Sequence, residues 1–229
     1  YNYGGAIFIS TKVKCSFTIE KCIFYNNSVY LTFNNYYSSK FTNNGGSIYI
    51  NSQKKDNSKI YNCSFISNSA EDFGGCIFFN NAQYIIEKCD FINNNINSTK
   101  SKKNRQGASI YASESNGTLH ESSFINNSVN SRDSSSGGAI SFSISNGLFE
   151  LCNFTNNYIY SKYQYAKDGG GGAIFITLPN AGSYLTAKFS FLKCIFNNNS
   201  IYSYDSNANG GAISFSSSFL KTSSTSITL

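Results

Sequence analysis

Several residue types are nearly missing from this chain. Its 229 residues include one proline, one histidine, no methionine and no tryptophan, and only 12 residues are acidic. Proline removes a donor from β-ladders, so a chain with so little of it has almost nothing to interrupt long sheets. A single histidine and the lack of paired Cys-x-x-Cys motifs argue against a zinc site. No run of about 18 apolar residues occurs, so the sequence predicts no transmembrane helix.

Two short phrases alternate along the chain. The first is two glycines, a small residue and isoleucine, and its copies are Gly4–Ile7, Gly45–Ile48, Gly74–Ile77, Gly107–Ile110, Gly137–Ile140, Gly171–Ile174 and Gly210–Ile213. In the fourth copy, Ala108 replaces the second glycine. The second phrase is Phe-x-x-Asn, found at Phe24–Asn27, Phe65–Asn68, Phe91–Asn94, Phe124–Asn127, Phe154–Asn157 and Phe196–Asn199. Self-similarity at a period of tens of residues is typical of a solenoid.

The second phrase belongs to a longer pattern, apolar-x-x-Cys-x-Phe-x-x-Asn. The three-residue step from the apolar residue to cysteine breaks strand alternation, so we expect the chain to turn a corner there. The cysteine place holds Cys22, Cys63, Cys89, Ser122, Cys152 and Cys194. Because one serine fills the place, we predict a packing role for this column, with mostly free, buried thiols rather than disulfides.

Short strands and corners at this spacing predict an all-β parallel β-helix of about seven coils. No segment has a sustained 3.6-residue period, which argues against helical repeats. Seven coils at an inter-strand spacing of about 4.8 Å make a rod about 30 Å long. We expect the glycines to form a corner that needs positive φ or close approach of coils. The asparagine of each Phe-x-x-Asn is expected to stack as a hydrogen-bonded ladder.

The segment after each of these asparagines varies most in length, which predicts a surface loop. Several of these segments are rich in tyrosine: Tyr30, Tyr36, Tyr37, Tyr158, Tyr160, Tyr163, Tyr165, Tyr202 and Tyr204. Tyrosines on a rigid scaffold are adaptable contact groups. Two interpretations therefore stay open, because these rings either contact a partner or cover the edges of the coils.

A candidate partner-binding stripe follows the glycine phrase. The residue after each inward isoleucine points away from the core, and in five of seven copies it is a large aromatic: Phe8, Tyr49, Phe78, Tyr111 and Phe175. An exposed apolar stripe of this length is typical of a partner surface, such as one for a sugar polymer or a second protein. The alternative is that a long loop folds over the stripe and buries it.

Candidate catalytic groups are few. Glu20, Glu87 and Glu150 share one corner position in alternate coils, and His120 lies between two of them with Glu121 beside it. A histidine between carboxylates is a pattern of general bases, but it is also common on a solvated corner. No Ser-His-Asp spacing, phosphate loop or metal cluster is evident. We therefore predict no catalytic residue, no cofactor and no metal site.

The net charge is +6, and the densest basic run is Lys100, Lys102, Lys103 and Arg105. Nucleic-acid binding usually needs a basic stripe on one face, so we interpret this run as a solvated loop and predict no nucleic-acid partner. The chain also carries seven Asn-x-Ser/Thr sequons, at Asn26, Asn62, Asn97, Asn116, Asn126, Asn153 and Asn198. They are candidate N-glycosylation sites, and the register places Asn62 and Asn153 on the outside of the coil.

The alternation of Gly-Gly-Ala-Ile with Phe-x-x-Asn resembles the repeats of the polymorphic outer-membrane protein family. The resemblance covers residues 4 to 215 and implies a right-handed β-helix of the adhesin type at the cell surface. We expect residues 1–229 to form one β-helix domain, a segment of a longer secreted or surface protein.

The resemblance favours a non-enzymatic function, either adhesion or a structural place in a surface coat or filament. Expected partners are other subunits or coils of the parent protein, end to end or side by side, and glycans. The alternative is a carbohydrate-active, pectate-lyase-like β-helix enzyme or a polysaccharide-binding module. A cluster of carboxylates about 5–10 Å apart on one outer face would separate the enzyme from the others.

Overall fold

The computed structural model describes residues 2–13, 15–30, 42–52, 57–98, 105–131, 135–161, 169–177, 187–203, 208–216 and 225–228. Within these ranges the chain consists of short β-strands and contains no helix. Successive coils contribute strands to four long parallel sheets of six or seven strands, and short strands just before the glycine phrases pair in two smaller sheets. This is the predicted right-handed parallel β-helix.

The first and second sheets contain seven strands each. The first sheet begins at the isoleucine of each glycine phrase, with strands Ile7–Thr11, Ile48–Ser52, Ile77–Asn80, Ile110–Ser113, Ile140–Ser143, Ile174–Thr177 and Ile213–Ser216. The second sheet precedes the cysteine corner, with strands Phe17–Glu20, Asn57–Tyr61, Gln83–Glu87, Asn116–His120, Asn146–Glu150, Ala187–Leu192 and Thr225–Thr228.

The third and fourth sheets contain six strands each. The third sheet holds the phenylalanine of Phe-x-x-Asn, in strands Ile23–Tyr25, Ser64–Ile66, Asp90–Ile92, Ser123–Ile125, Asn153–Thr155 and Ile195–Asn197. The fourth sheet follows the asparagine, in strands Ser28–Val29, Ser69–Ala70, Asn95–Ser98, Ser128–Ser131, Tyr158–Ser161 and Ser200–Ser203.

Short strands before the glycine phrases form what we call the covering sheet. It consists of two parts that the single residue Phe73 bridges, because Phe73 pairs with Asn44 on one side and Gln106 on the other. Its strands are Asn2–Tyr3, Asn43–Asn44, Arg105–Gln106, Ser135–Ser136, Gly169–Gly170 and Ala208–Asn209.

Glycine forms the corner between the covering sheet and the first sheet, as predicted. The first glycine of each phrase has φ between +60° and +70°, a region that side chains with a Cβ rarely adopt. The second glycine lets coils approach closely, because a Cβ on Gly46 would lie 2.0 Å from the carbonyl oxygen of Gly75. The glycine phrase is therefore required by the backbone at this corner.

The predicted corner before the cysteine place is also present. The residue directly before the cysteine place has a left-handed backbone in six coils, at Lys21, Asn62, Lys88, Glu121, Leu151 and Lys193. A second left-handed corner lies just before the ladder asparagine, at Asn26, Ser67, Asn93, Asn126, Asn156 and Asn198. A third precedes the second sheet, at Asn81, Glu114 and Ile144.

The predicted asparagine ladder runs through the interior. Asn94 and Asn127 are fully buried, and the Asn94 side-chain amide donates to the Oδ1 atom of Asn127 at 3.0 Å. The Asn127 amide donates in turn to Oδ1 of Asn157 at 2.9 Å and to the carbonyl of Phe91 at 2.9 Å. Alongside, the phenylalanines of the phrase stack with ring centroids 4.7 to 4.9 Å apart. Both columns lock the coils in register.

The cysteine column also joins coils by hydrogen bonds. The backbone amide of Cys63 donates to the Cys89 sulfur at 3.4 Å, and the amide of Cys89 donates to the Ser122 hydroxyl at 3.1 Å. A cysteine sulfur and a serine hydroxyl oxygen can both accept this hydrogen bond from the backbone amide of the preceding coil. This explains why serine can replace cysteine in one coil. Cys63, Cys89 and Cys152 are buried free thiols, as predicted.

Candidate functional site

The predicted aromatic row forms on the outer face of the first sheet. Phe8, Tyr49, Phe78 and Tyr111 are in register, and neighbouring rings stack with centroids 5.1 to 5.3 Å apart. Phe175 stands apart from them, because serines occupy the paired positions in the coils on both sides. The orientation read from strand parity is therefore confirmed.

The covering sheet lies over this row. The Tyr3 ring is 4.3 Å from the Tyr49 ring, and the Phe73 ring is 4.7 Å from that of Tyr111. Phe8 stays 56% exposed, but three members of the row are less than a tenth exposed: Tyr49, Phe78 and Phe175. Burial also raises the pKa of Tyr49 to about 12. The alternative in which another segment covers the row thus holds for these three.

The covering segment differs from the long loop that the sequence suggested. It is a short strand placed directly before the glycine corner, and the left-handed glycine turns the chain from this strand into the first sheet. Near Phe175 the approach is close enough that a Cβ on Gly170 would lie 3.0 Å from the ring. The row therefore forms a second inner layer between two sheets.

A polar layer separates the covering sheet from the fourth sheet. Arg105 is 2% exposed, pairs with the carboxylate of Asp72, and donates to the Ser98 hydroxyl at 2.7 Å. The prediction of a solvated basic run is therefore wrong for Arg105, because a buried carboxylate from the preceding coil holds its guanidinium inside. The lysines predicted beside it, Lys100, Lys102 and Lys103, lie outside the described residues.

The outer face of the second sheet carries an open groove of about 470 Å³. One wall is a row of side-chain amides at the first position of successive strands: Asn57, Gln83, Asn116 and Asn146. The other wall consists of Ile85, Thr118, Leu148 and Ser190, which are in register on successive strands, and Lys59 precedes Ile85 in this row. Residues two apart on a strand share a face about 7 Å apart, so the groove runs along the rod axis between the two rows.

The two halves of the amide wall differ in how they are bonded. Asn146 donates from its amide to Oδ1 of Asn116 at 2.7 Å, and its own Oδ1 accepts from the backbone amide of Lys188 at 2.7 Å. Asn57 and Gln83 are exposed, and neither side chain has a hydrogen-bond partner within the described part of the chain. The groove thus offers two amides that are available to a ligand.

Our sequence interpretation missed this groove, although a signal was present. Each amide of the wall precedes the apolar residue of apolar-x-x-Cys by three positions, so the row can be aligned from the repeat alone. What the repeat does not give is whether a segment of the chain covers the row. In the described part of the chain, a segment covers the row on the first sheet, whereas the groove on the second sheet is open.

The predicted row of His120 and glutamates lies on the same sheet, two residues beyond the second wall of the groove. His120 Nε2 is 3.7 Å from Glu121 Oε1 and 3.9 Å from Glu150 Oε2. Glu87 instead pairs with Lys59 at 3.1 Å. These side chains lie on a solvated corner, and none of them lines the groove. Within the described ranges, no group of three histidine, cysteine or acidic side chains is placed to hold a metal.

Tyrosines of the variable segments form an exposed patch on the fourth sheet. Tyr158 and Tyr160 stand on one outer face of their strand, and Tyr202 pairs directly with Tyr160 in the next coil. Their exposed fractions are 39%, 42% and 60%. We call these three residues the tyrosine patch. Tyr30 lies at the opposite end of this sheet, and the other predicted tyrosines lie outside the described residues: Tyr36, Tyr37, Tyr163, Tyr165 and Tyr204.

The sequons differ in accessibility. Four of them lie at exposed left-handed corners, namely Asn26, Asn62, Asn126 and Asn198. Asn97 is exposed on the outer face of the fourth sheet, Asn116 is half-buried in the groove wall, and Asn153 is half-buried. Asn62 therefore lies outside as predicted, while the Oδ1 of Asn153 accepts from the Thr155 hydroxyl at 2.8 Å. Glycosylation of any of these sites stays a prediction.

The thiols of the cysteine column differ in acidity along the rod. In the middle, burial raises the pKa of Cys89 to about 12. Nearer the other end, interaction between the neighbouring thiols of Cys152 and Cys194 raises the pKa of Cys152 and lowers that of Cys194 to about 7.

Among the described residues, no helix has the length and apolarity that crossing a membrane requires. Comparison with curated proteins and with solved structures gave no match. One family model does match: residues 121–143 match the Chlamydia polymorphic membrane protein (Chlamydia_PMP) repeat. This span contains one Phe-x-x-Asn phrase and the glycine phrase that follows it. The same two phrases alternate through the other coils, so those coils share the pattern of the matched repeat.

Proposed function

We propose that the chain is a surface-displayed, non-enzymatic β-helix that serves as an adhesin, with the tyrosine patch as its contact to another protein. The family repeat points to a surface-exposed, adhesin-like protein. The observation that carries the proposal is the patch itself, three large aromatic side chains exposed on one face of adjacent coils.

The chemistry of the patch suits a protein partner. Tyrosine joins a large apolar ring to a hydroxyl that hydrogen-bonds, which explains its enrichment at protein interfaces. Tyr160 and Tyr202 stand on strands whose backbones are paired on the rod, so the rings are already positioned before binding. A pre-ordered surface loses little conformational entropy on association.

A non-enzymatic role fits the distribution of acidic groups. Glycoside hydrolysis needs two carboxylates that flank the bond to be cleaved. Glu87 is neutralised by Lys59 at 3.1 Å, and Glu150 lies beside His120 on a solvated corner outside the groove. This arrangement favours binding over cleavage.

Adhesion of beads that carry the purified chain to a cell monolayer tests the proposal. We expect the beads to adhere, and the triple variant Tyr158→Ser, Tyr160→Ser, Tyr202→Ser to lose most of that adhesion. Tyr25→Ser is the matched control, because Tyr25 is a 67% exposed tyrosine on the third sheet and its loss should change nothing. Protease treatment of the cells should abolish adhesion if the partner is a protein.

Two outcomes would contradict the proposal. If the triple variant adheres as well as the unchanged chain, the tyrosine patch is not the contact. If the beads do not adhere but the chain forms long assemblies in sedimentation, the structural alternative of a coat or filament takes its place.

A further inference from the structure

We propose that the groove on the second sheet is a binding site for a neutral, linear oligosaccharide that lies parallel to the rod axis. The site is separate from the tyrosine patch, which is on the fourth sheet. The inference goes beyond adhesion to a protein, and it rests on the direction, the bonding capacity and the charge of the groove.

The groove has a direction and a repeat. Its two walls are rows of side chains from successive coils, so the same kind of group recurs at about 4.8 Å along the rod. Asn57, Gln83 and Asn116 follow one another in register on one wall. A ligand that matches them must be an extended chain with a similar repeat, and a linear sugar chain rises by a comparable step per unit.

The floor of the groove excludes a peptide that would bind as an added strand. It is the backbone of the middle of a sheet, where Gly117 pairs with Tyr84 on one side and Gly147 on the other. Peptides that dock by strand addition need unpaired backbone groups at a sheet edge. Here the backbone is already paired with neighbouring coils, so only side chains remain to bind a ligand.

Those side chains suit hydroxyl groups. A carboxamide offers two donors and one acceptor oxygen, and a sugar hydroxyl both donates and accepts. Asn57 and Gln83 are exposed and without a hydrogen-bond partner within the described part of the chain. Across the groove, Ile85 and Leu148 expose aliphatic surface to the C–H faces of a sugar ring. Few polar groups beside apolar walls are typical of small-ligand sites.

The charge of the groove selects a neutral ligand. Among the described residues that line it, Lys188 is the one charged side chain, and it lies at one end. At the other end, Lys59 adjoins Ile85 in the same row, and its charge is paired with Glu87 at 3.1 Å. A polyanion such as a nucleic acid or an acidic polysaccharide needs a stripe of basic residues. The groove offers a row of uncharged amides instead, so a neutral chain binds with less loss of solvation than a charged one.

Titration calorimetry with neutral sugar hexamers tests the proposal. The probes are cellohexaose and chitohexaose, with a galacturonic acid hexamer as the charged comparison. We expect at least one neutral hexamer to bind, and the double variant Asn57→Ala, Gln83→Ala to weaken it by about tenfold or more. Two hydrogen bonds at about 1 kcal/mol each account for a change of that size.

The matched control is the double variant Asn97→Ala, Asn130→Ala. These are exposed amides in register on the outer face of the fourth sheet, so they are removed without touching the groove. The control should bind like the unchanged chain, and urea unfolding should show all variants equally folded. The proposal is overturned if neither neutral hexamer binds, if the groove variant binds as tightly as the control, or if the galacturonic acid hexamer binds more tightly than the neutral ones.

Discussion

The outer faces of the first and second sheets belong to the same coils, yet one is covered and the other is open. On the first sheet, Phe78 points away from the main core and is still only 8% exposed, because the covering sheet lies over it. On the second sheet, Ile85 also points outward and is 43% exposed. Strand parity gives the direction of a side chain, but a neighbouring segment decides whether that side chain meets solvent.

The difference also shows that a repeated row of side chains can serve either packing or ligand binding. The aromatic row of the first sheet holds the covering sheet in place, so its regular spacing serves packing. The amide row of the second sheet borders an open groove within the described part of the chain, and two of its members are available for hydrogen bonds with a ligand. A row left open along a rigid rod is therefore a better candidate for binding than a more hydrophobic row that is buried.

The largest expected effect compares the two faces directly. Phe78→Ala should lower the free energy of unfolding by about 3–5 kcal/mol, because it leaves a cavity beneath the covering sheet. Ile85→Ala, on the open face, should lower it by about 1 kcal/mol or less. Urea unfolding followed by circular dichroism measures both values. Similar losses for the two variants would mean that the faces are equally covered.

The next effect concerns inward and outward asparagines. Asn127→Ala should lower the free energy of unfolding by about 2–3 kcal/mol, because Asn127 is fully buried and its loss leaves ladder partners unsatisfied. Asn130→Ala, three residues later on an exposed face, should change it by about 0.5 kcal/mol or less. The same unfolding experiment applies, and equal effects would argue against the interior ladder.

A stabilising change is expected at the third corner. Ile144 has φ of +52° and is 38% exposed, although a β-branched side chain strains a left-handed backbone. Asn81 occupies the equivalent corner two coils earlier. Ile144→Asn should therefore raise the free energy of unfolding by about 1 kcal/mol. Ile125→Asn, on an extended strand of the third sheet, is the control and should bring no gain; a loss at Ile144 would contradict the corner assignment.

The last effect changes reactivity rather than stability. The pKa of Cys194 is lowered to about 7, whereas burial raises that of Cys89 to about 12. Thiolate is the reactive form, so alkylation of Cys194 should rise as the pH increases through about 7, while Cys89 stays unmodified up to pH 9. Peptide mapping by mass spectrometry measures both. Equal labelling of the two cysteines at pH 8 would contradict the gradient along the column.

Much of this fold follows from the sequence because a solenoid repeats its constraints. The glycine corner, the Phe-x-x-Asn ladder and the cysteine column recur in nearly every coil, so alignment of the copies gives their register. Local rules are sufficient here, since each position needs a left-handed backbone, a buried amide or a small side chain. The match of residues 121–143 to a known repeat agrees with that reading.

The cover over the first sheet could not be predicted in the same way. Its two-residue strands differ in sequence from coil to coil, as Asn43–Asn44 and Ser135–Ser136 show. Their position depends on how a left-handed glycine turns the chain. Arg105 is buried because its guanidinium forms an ion pair with Asp72 of the preceding coil, and these two residues are far apart in sequence. The open groove could not be predicted for the same reason, because only the structure shows which outer rows are covered by another segment.

Hydroxyl-radical footprinting with mass spectrometry tests the contrast between covered and open faces most directly. It reports how fast each aromatic ring is oxidised by a solvent-borne reagent. The account predicts that Tyr49, Phe78 and Phe175 are oxidised as slowly as the core ring Phe91, while Tyr202 reacts rapidly. Oxidation of Phe78 at the rate of Tyr202 would show that the first sheet is open, and would contradict the account.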